Sequence, residues 1–142
     1  MHKLPVNFFS EAQSTGQFEN PWSIQSGTVN ALCAVPVEFG GMAGGFSPED
    51  LFLQSLMNCF IGTFKVYAKA SRIHFTDLSV RGQLTVDHNE KRQIFMKSVF
   101  LKITVHGSDR PERIETLVAK TIRDGFILNS VKTEIRHSIE IV

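Results

Sequence analysis

The stretch of residues 46–67 constrains the fold more than any other part of the chain, because it has the pattern of a long helix. Ser47 and Asp50 have the spacing of a capping box, in which each side chain binds the other residue's backbone N–H. Pro48 suits the first helical position because its φ is already fixed. One face then recurs at steps of three and four residues: Phe52, Leu56, Cys59, Phe60, Thr63 and Tyr67. We therefore expect a central core helix that carries a cysteine on its apolar face.

The composition indicates one ordinary folded domain over residues 1–142. Hydrophobic residues make up 42% of the chain and charged residues 20%, which excludes the disordered and fibrous classes. The net charge of +1 gives no indication of a nucleic-acid or membrane-surface protein. No apolar run is long enough to span a membrane or to resemble a signal peptide. Two cysteines do not make a disulfide framework, so we expect a location in the reducing cytoplasm.

Hydrophobic alternation and turn residues divide the rest of the chain into short elements. Before the long helix we predict a strand at 4–9, a loop at 10–21, a strand at 28–35 and a glycine-rich connection at 36–45. After it we predict a hairpin of strands at 78–86 and 94–105, and a helix that Asp109 caps and Gly125 ends. A closing strand follows at 131–141. This order indicates an α+β fold with antiparallel pairing.

Residues 36–60, PVEFGGMAGGFSPEDLFLQSLMNCF, resemble the OsmC/Ohr family of thiol-dependent peroxidases. The shared features are a Pro-x-Glu-Phe-Gly-Gly stretch, a glycine-rich turn, a Ser-Pro-Glu helix start and a cysteine about three turns into the helix. The order of the later elements is similar too. The resemblance implies an OsmC-like fold, with antiparallel sheets packed on the long central helix and on a second helix. It also implies an intertwined homodimer whose active sites lie at the subunit interface.

The resemblance makes Cys59 the peroxidatic thiol and Glu49 the helix-start glutamate that holds an arginine near it. In such a site the thiolate attacks the O–O bond of an organic hydroperoxide and becomes a sulfenic acid. A second cysteine then forms a disulfide with it. Two parts of this machinery are absent here: Gly125 occupies the place of the second cysteine, and the first arginine of the chain is Arg72.

Each candidate site residue also has a simpler interpretation. Cys59 can be a small core residue, and Glu49 a carboxylate that favours the helix start. Cys33 is either a strand residue beside the core or the accessory, resolving cysteine that replaces the missing one. The remaining candidates define either an apolar ligand pocket or a phenylalanine-rich core with a structural glutamate: Glu38, Phe39, Phe46, Phe52, Phe60 and Phe126.

We therefore predict reduction of organic hydroperoxides by a one-cysteine mechanism of the stress-defence type, with an external thiol as reductant. The alternative is a non-catalytic protein of the same fold that binds an apolar small molecule at the dimer interface. The predicted partners are a second copy of the chain, the apolar hydroperoxide or ligand and the thiol. We expect no cofactor, and the five histidines lack the spacing of a zinc site built from sequence neighbours.

Overall fold

The predicted long helix is present as α1 (Pro48–Ala70). Its capping box is confirmed: Ser47 N–H donates to Oδ2 of Asp50, and Asp50 N–H to Oγ of Ser47, both at 2.9 Å. Phe46 lies outside the helix, because both of its backbone polar groups form hydrogen bonds with residues before the helix. Phe46 N–H donates to the carbonyl of Leu32 and its own carbonyl accepts from Ala34, each at 2.9 Å.

The computed structural model describes residues 3–142, in two compact units that divide after Leu51. The first unit holds an antiparallel sheet of three strands in the order β1 (Glu11–Gln13), β2 (Trp22–Ser26) and β3 (Val29–Cys33). Strands β2 and β3 form a hairpin in which Ser26 pairs with Val29. Gly27 makes this tight turn possible, with φ at +59°.

The predicted strand at residues 4–9 is wrong. Its side chains are exposed, Phe8 at 92% and Phe9 at 87%, and the segment joins neither of the described sheets. The first strand is instead the polar β1, in the segment predicted as a loop, and β2 was not predicted either. Ladder hydrogen bonds rather than apolar burial define β1, whose three residues are all exposed, so hydrophobic alternation does not reveal it.

The predicted strand with Cys33 and the glycine-rich connection after it are confirmed. The connection contains a short 3-10 helix, Val37–Phe39, and returns to β3 through a bridge between Cys33 and Phe46. A side chain at residue 45 would prevent this return, because a Cβ atom on Gly45 would lie 2.6 Å from the carbonyl carbon of Leu32.

The second unit, Phe52–Val142, contains most of α1, the helix α2 (Ile114–Asp124) and a sheet of three strands. These strands, in sheet order, are β4 (Asp77–His88), β5 (Ile94–His106) and β6 (Glu134–Ile141). Strands β4 and β5 form the predicted antiparallel hairpin. Strand β6 pairs with β5 in parallel, which corrects the expectation of antiparallel pairing throughout. The connection that contains α2 is long enough for such a crossover.

The core of the second unit lies between its two helices and one face of the sheet. The predicted inward positions of β5 are confirmed, since Val99, Leu101, Ile103 and Val105 are completely buried. The helices contribute further buried residues: Leu56, Phe60, Phe64, Ala68, Ile114, Leu117 and Val118. Burial of each large apolar side chain contributes about 1.5–3 kcal/mol, so this face of α1 anchors the unit.

Asp109 does not cap α2, contrary to the prediction. Its Oδ1 accepts from His74 N–H and its Oδ2 lies beside His74 Nδ1, both at 2.9 Å. A short 3-10 helix, Pro111–Arg113, precedes α2 instead. The predicted stop is confirmed, because α2 ends at Asp124 and Gly125 N–H closes its last turn on the carbonyl of Thr121 at 2.9 Å.

The two α-helices and two three-stranded sheets found within residues 3–142 confirm the predicted α+β class. None of the helices found between residues 3 and 142 is long and apolar enough to cross a bilayer. The formation of one domain by the whole chain stays a prediction.

Candidate active site around Cys59

Cys59 lies about three turns into α1 as a free, half-buried thiol. The backbone N–H of Ile127, in the turn that follows α2, donates to Cys59 Sγ with an N···S distance of 3.3 Å. This hydrogen bond joins residues that are 68 positions apart in the chain. The thiol therefore faces a backbone donor at the C-terminal end of α2 instead of lying among core side chains alone.

Gly125 lies directly beside the thiol. A Cβ atom at this position would be 3.1 Å from Cys59 Sγ and 2.8 Å from Cδ1 of Leu128. Glycine thus allows the end of α2 to approach α1 closely at the cysteine. Gly125 is also the residue that stands where the resemblance places a second cysteine, and the structure brings that position next to Cys59.

A polar cluster anchors the end of α2 to α1. Tyr67 Oη donates to Asp124 Oδ2 at 3.0 Å, and the Arg123 guanidinium binds both carboxylate oxygens of Asp124 at 2.7 and 3.0 Å. These donors hold the pKa of Asp124 below its ordinary value, the Arg123 hydrogen bonds being the largest cause. Lys120 Nζ lies 4.4 Å from the centre of the Tyr67 ring. The cluster fixes the residue immediately before Gly125, and with it the turn that faces Cys59.

The predicted phenylalanines of the second unit lie in three different environments. Phe126, in the turn that contacts Cys59, is 79% exposed, and Ile127 beside it is 42% exposed. Phe52 is partly buried at the edge of the core. Phe60 is completely buried and stacks on Phe64, with ring centres 5.7 Å apart, so it belongs to the core rather than to an open pocket.

Cys33 is buried at the end of β3, with only 2% of its surface exposed. Burial raises the pKa of its thiol above the ordinary value, against a smaller opposing effect of a hydrogen bond with the backbone of Ala34. A buried thiol with a raised pKa is a poor nucleophile at neutral pH. Among the other candidates of the first unit, Glu38 and Phe39 lie on the exposed 3-10 helix, and Phe46 is 47% exposed.

Glu49 occupies the first turn of α1. Its Oε2 atom is buried and has no hydrogen-bond partner among the described residues. Carboxylate oxygens in such places usually have a donor, because a buried acceptor without one is destabilising. The Oε2 atom of Glu49 is therefore a buried acceptor that costs free energy in the isolated chain.

A separate open cleft of about 700 Å³ lies at the C-terminal end of α1. Its lining combines apolar and basic residues: Lys65, Val66, Ala68, Lys69, Arg72, Ile73, His74 and Phe75. The predicted pocket residues are not part of it.

Sequence reasoning did not single out the Ile127 amide, Asp124 or the role of Tyr67. A backbone amide gives no side-chain signal at all. Tyr67 was placed on the apolar stripe of α1, but only the fold reveals its bond to Asp124. Only Gly125 gave a signal for this part of the site. It occupies the place of the second cysteine in the resemblance, so the residues around it were expected to lie near Cys59.

Comparison with known proteins identifies relatives of the chain. The family model described as OsmC-like protein matches residues 40–140. The chain is 32% identical over 120 residues to an organic hydroperoxide resistance protein of Xanthomonas axonopodis pv. citri, which covers 81% of this chain and 80% of the relative.

Solved structures confirm the predicted OsmC-like fold. An OsmC-like protein from Mycoplasma pneumoniae matches with a TM-score of 0.83 at 16% identity, over 98% of this chain and 99% of that one. An organic hydroperoxide resistance protein of Bacillus subtilis matches with a TM-score of 0.69 at 21% identity, over 95% of this chain and 98% of the other.

Proposed function

The chain belongs to the OsmC-like protein family, and from that premise we propose that it reduces organic hydroperoxides with Cys59 as the attacking thiol. Relatives named organic hydroperoxide resistance proteins support a role in defence against hydroperoxides. The observation that carries the proposal is the environment of Cys59. Its sulfur is half-buried on α1 and receives the N–H of Ile127, beside Gly125.

The reaction begins with attack of the Cys59 thiolate on one oxygen of the hydroperoxide. The O–O bond breaks, the other oxygen leaves as the alcohol after it takes up a proton, and the sulfur becomes a sulfenic acid. The N–H of Ile127 holds the sulfur in position before attack. The exposed apolar side chains of Phe126 and Ile127, in the turn whose backbone contacts the thiol, support an apolar hydroperoxide.

Reduction of the sulfenic acid requires an external thiol. Residue 125, next to Cys59 Sγ, carries no sulfur, and Cys33 is buried with a raised pKa. The first external thiol forms a mixed disulfide with Cys59, and a second releases the reduced enzyme. This is the one-cysteine mechanism.

We further propose that the protein is cytoplasmic, because two cysteines make no disulfide framework, and that it is a homodimer, because the family resemblance implies two subunits around each site. The proposed part of Glu49 is to hold a positively charged side chain, as its position in the resemblance implies.

The test is consumption of cumene hydroperoxide and of a fatty-acid hydroperoxide, with dithiothreitol or a dihydrolipoyl compound as reductant. Wild type, Cys59→Ser and Cys33→Ser are compared. Turnover should disappear in Cys59→Ser and persist in Cys33→Ser. A wild type no faster than the buffer blank would contradict the proposal, and loss of turnover in both variants would make Cys33 a resolving partner.

The cleft at the end of α1 favours a second candidate function, the binding of a small molecule without catalysis. Its apolar lining includes Ile73 and Phe75, and Lys65, Lys69 and Arg72 supply positive charge, so an amphiphile with an anionic head is suited to it. Titration of a fluorescent fatty acid tests this function. Equal affinity in wild type and Cys59→Ser, together with an absence of turnover, would favour the binding protein.

A further inference from the structure

We propose that oxidised Cys59 condenses with the backbone nitrogen of Ile127 to form a sulfenyl amide, which protects the enzyme until a thiol arrives. This inference rests on the proposed function, because the hydroperoxide is its oxidant. Sulfenic acids are known to react with backbone nitrogen in this way as an alternative to disulfide formation. The Ile127 amide thereby takes the place of the second cysteine that this chain lacks at residue 125.

The two reacting atoms are already in contact. The nitrogen of Ile127 lies 3.3 Å from Cys59 Sγ, and the sulfur is the acceptor of its N–H. No backbone carbonyl accepts from this N–H within residues 3–142, so its release breaks no helix or sheet hydrogen bond. Proximity of this kind makes an intramolecular reaction far faster than its bimolecular counterpart.

The peptide plane between Phe126 and Ile127 must turn so that its nitrogen, rather than the hydrogen, faces the sulfur. One further bond resists this turn: Ser130 Oγ donates to the carbonyl of Phe126 at 2.5 Å. The turn lies at the surface, since Phe126 is 79% and Ile127 42% exposed, so rotation displaces no core side chain. We therefore expect the hydroxyl of Ser130 to slow the condensation, because it holds the peptide plane in its present orientation.

The atoms balance without any further oxidant. In the condensation the S–O bond and the N–H bond break, the S–N bond forms, and one water molecule leaves. An external thiol then attacks the sulfur, returns a proton to the nitrogen and forms a mixed disulfide with Cys59. A second thiol releases Cys59 and leaves with the first as a disulfide. The sulfenyl amide cannot take up more oxygen as readily as the free sulfenic acid, which prevents sulfinic acid formation.

The decisive experiment is mass spectrometry of the wild-type protein after one equivalent of cumene hydroperoxide, with no thiol present. We expect a chain lighter than the reduced one by two hydrogen atoms, with the tryptic peptide 4–65 joined to the peptide 124–132. Dithiothreitol should separate the two peptides. A disulfide between Cys33 and Cys59 has the same mass change, but both cysteines belong to the peptide 4–65, so it leaves peptide 124–132 free.

Two variants test which groups control the formation of the cross-link. Ser130→Ala frees the Phe126 carbonyl and should raise the rate of cross-link formation severalfold, while Cys59→Ser should form none. Oxidised Cys59 with an unlinked peptide 124–132, as a sulfenic acid trapped by dimedone or as a sulfinic acid, would overturn the sulfenyl amide and leave the peroxidase intact. An unoxidised Cys59 would instead contradict the proposed function, and the sulfenyl amide with it.

Discussion

Gly125 lies so close to Cys59 that a Cβ atom on residue 125 would stand 3.1 Å from the cysteine sulfur. In a disulfide, the S–S length of about 2.04 Å places each sulfur roughly 3 Å from the Cβ atom of its partner. The position is therefore already at disulfide distance, although the residue present carries no side chain.

Gly125→Cys should form a disulfide with Cys59 on mild oxidation, after a small shift of the Leu128 side chain. Free thiols counted before and after oxidation, with peptide mapping, measure its formation. Gly125→Ala is the matched control, because it fills the same space without sulfur. Persistence of both thiols in oxidised Gly125→Cys would show that Gly125 and Cys59 are not neighbours in solution.

The two natural cysteines should differ strongly in their reactivity. Cys33 is 2% exposed and burial raises its pKa, whereas Cys59 is half-buried and contacts a surface turn. We expect Cys33→Ser to be alkylated by iodoacetamide at neutral pH about tenfold faster, or more, than Cys59→Ser. Both variants should react at the same rate in guanidinium chloride. Equal rates in the folded variants would contradict the assignment of Cys59 as the reactive thiol.

Glu49→Gln tests the buried oxygen of this carboxylate. A buried acceptor without a partner costs about 1–3 kcal/mol, so in the isolated chain removal of the charge should leave the free energy of unfolding unchanged or raise it by about 1 kcal/mol. Glu38→Gln, at an exposed glutamate of the same unit, is the control and should change nothing. Thermal unfolding of both variants measures the difference. A clear destabilisation by Glu49→Gln, with none by Glu38→Gln, would contradict the buried oxygen without a partner.

Stability should fall in acid because four carboxyl groups have lowered pKa values: the exposed Asp87, Asp109 and Glu134, and the half-buried Asp124. A group whose pKa is lower in the folded state stabilises the protein above its unfolded pKa, about 3.9 for Asp and 4.3 for Glu. This contribution is lost as the pH falls through the folded values. We expect a constant melting temperature between about pH 5 and 7 and a decrease below about pH 4.

Thermal unfolding between about pH 2.5 and 7 measures this decrease, and Asp124→Asn should make it shallower. High salt should weaken the effect, because three of the four groups are exposed to solvent and their charges are screened. A melting temperature that rises as the pH falls below 4 would contradict the assigned ion pairs.

Features set by local residue spacing were predictable from the sequence. The capping box of Ser47 and Asp50, the inward face of β5 and the end of α2 at Gly125 all lie where local spacing placed them. Features that depend on partners far apart in the chain were not predictable from the sequence. The carboxylate of Asp109 binds His74 rather than the start of α2, and β6 pairs in parallel after a long crossover.

The residues of the candidate site also fall into a predictable and an unpredictable group. Cys59 and Gly125 were recognisable from the family motif, and the fold brings them together. The N–H of Ile127 was not recognisable, because every residue except proline carries the same donor and only tertiary structure selects one. The bond between Tyr67 and Asp124 joins two ordinary residues 57 positions apart, and no spacing rule connects them.

The central claim is that Cys59 alone carries out the reduction of the hydroperoxide. Its most direct test is the amount of alcohol formed from cumene hydroperoxide by reduced protein when no external thiol is present. We predict a burst of one alcohol molecule per chain in wild type and in Cys33→Ser, and none in Cys59→Ser. A burst that survives in Cys59→Ser, or the absence of any burst in wild type, would contradict the claim.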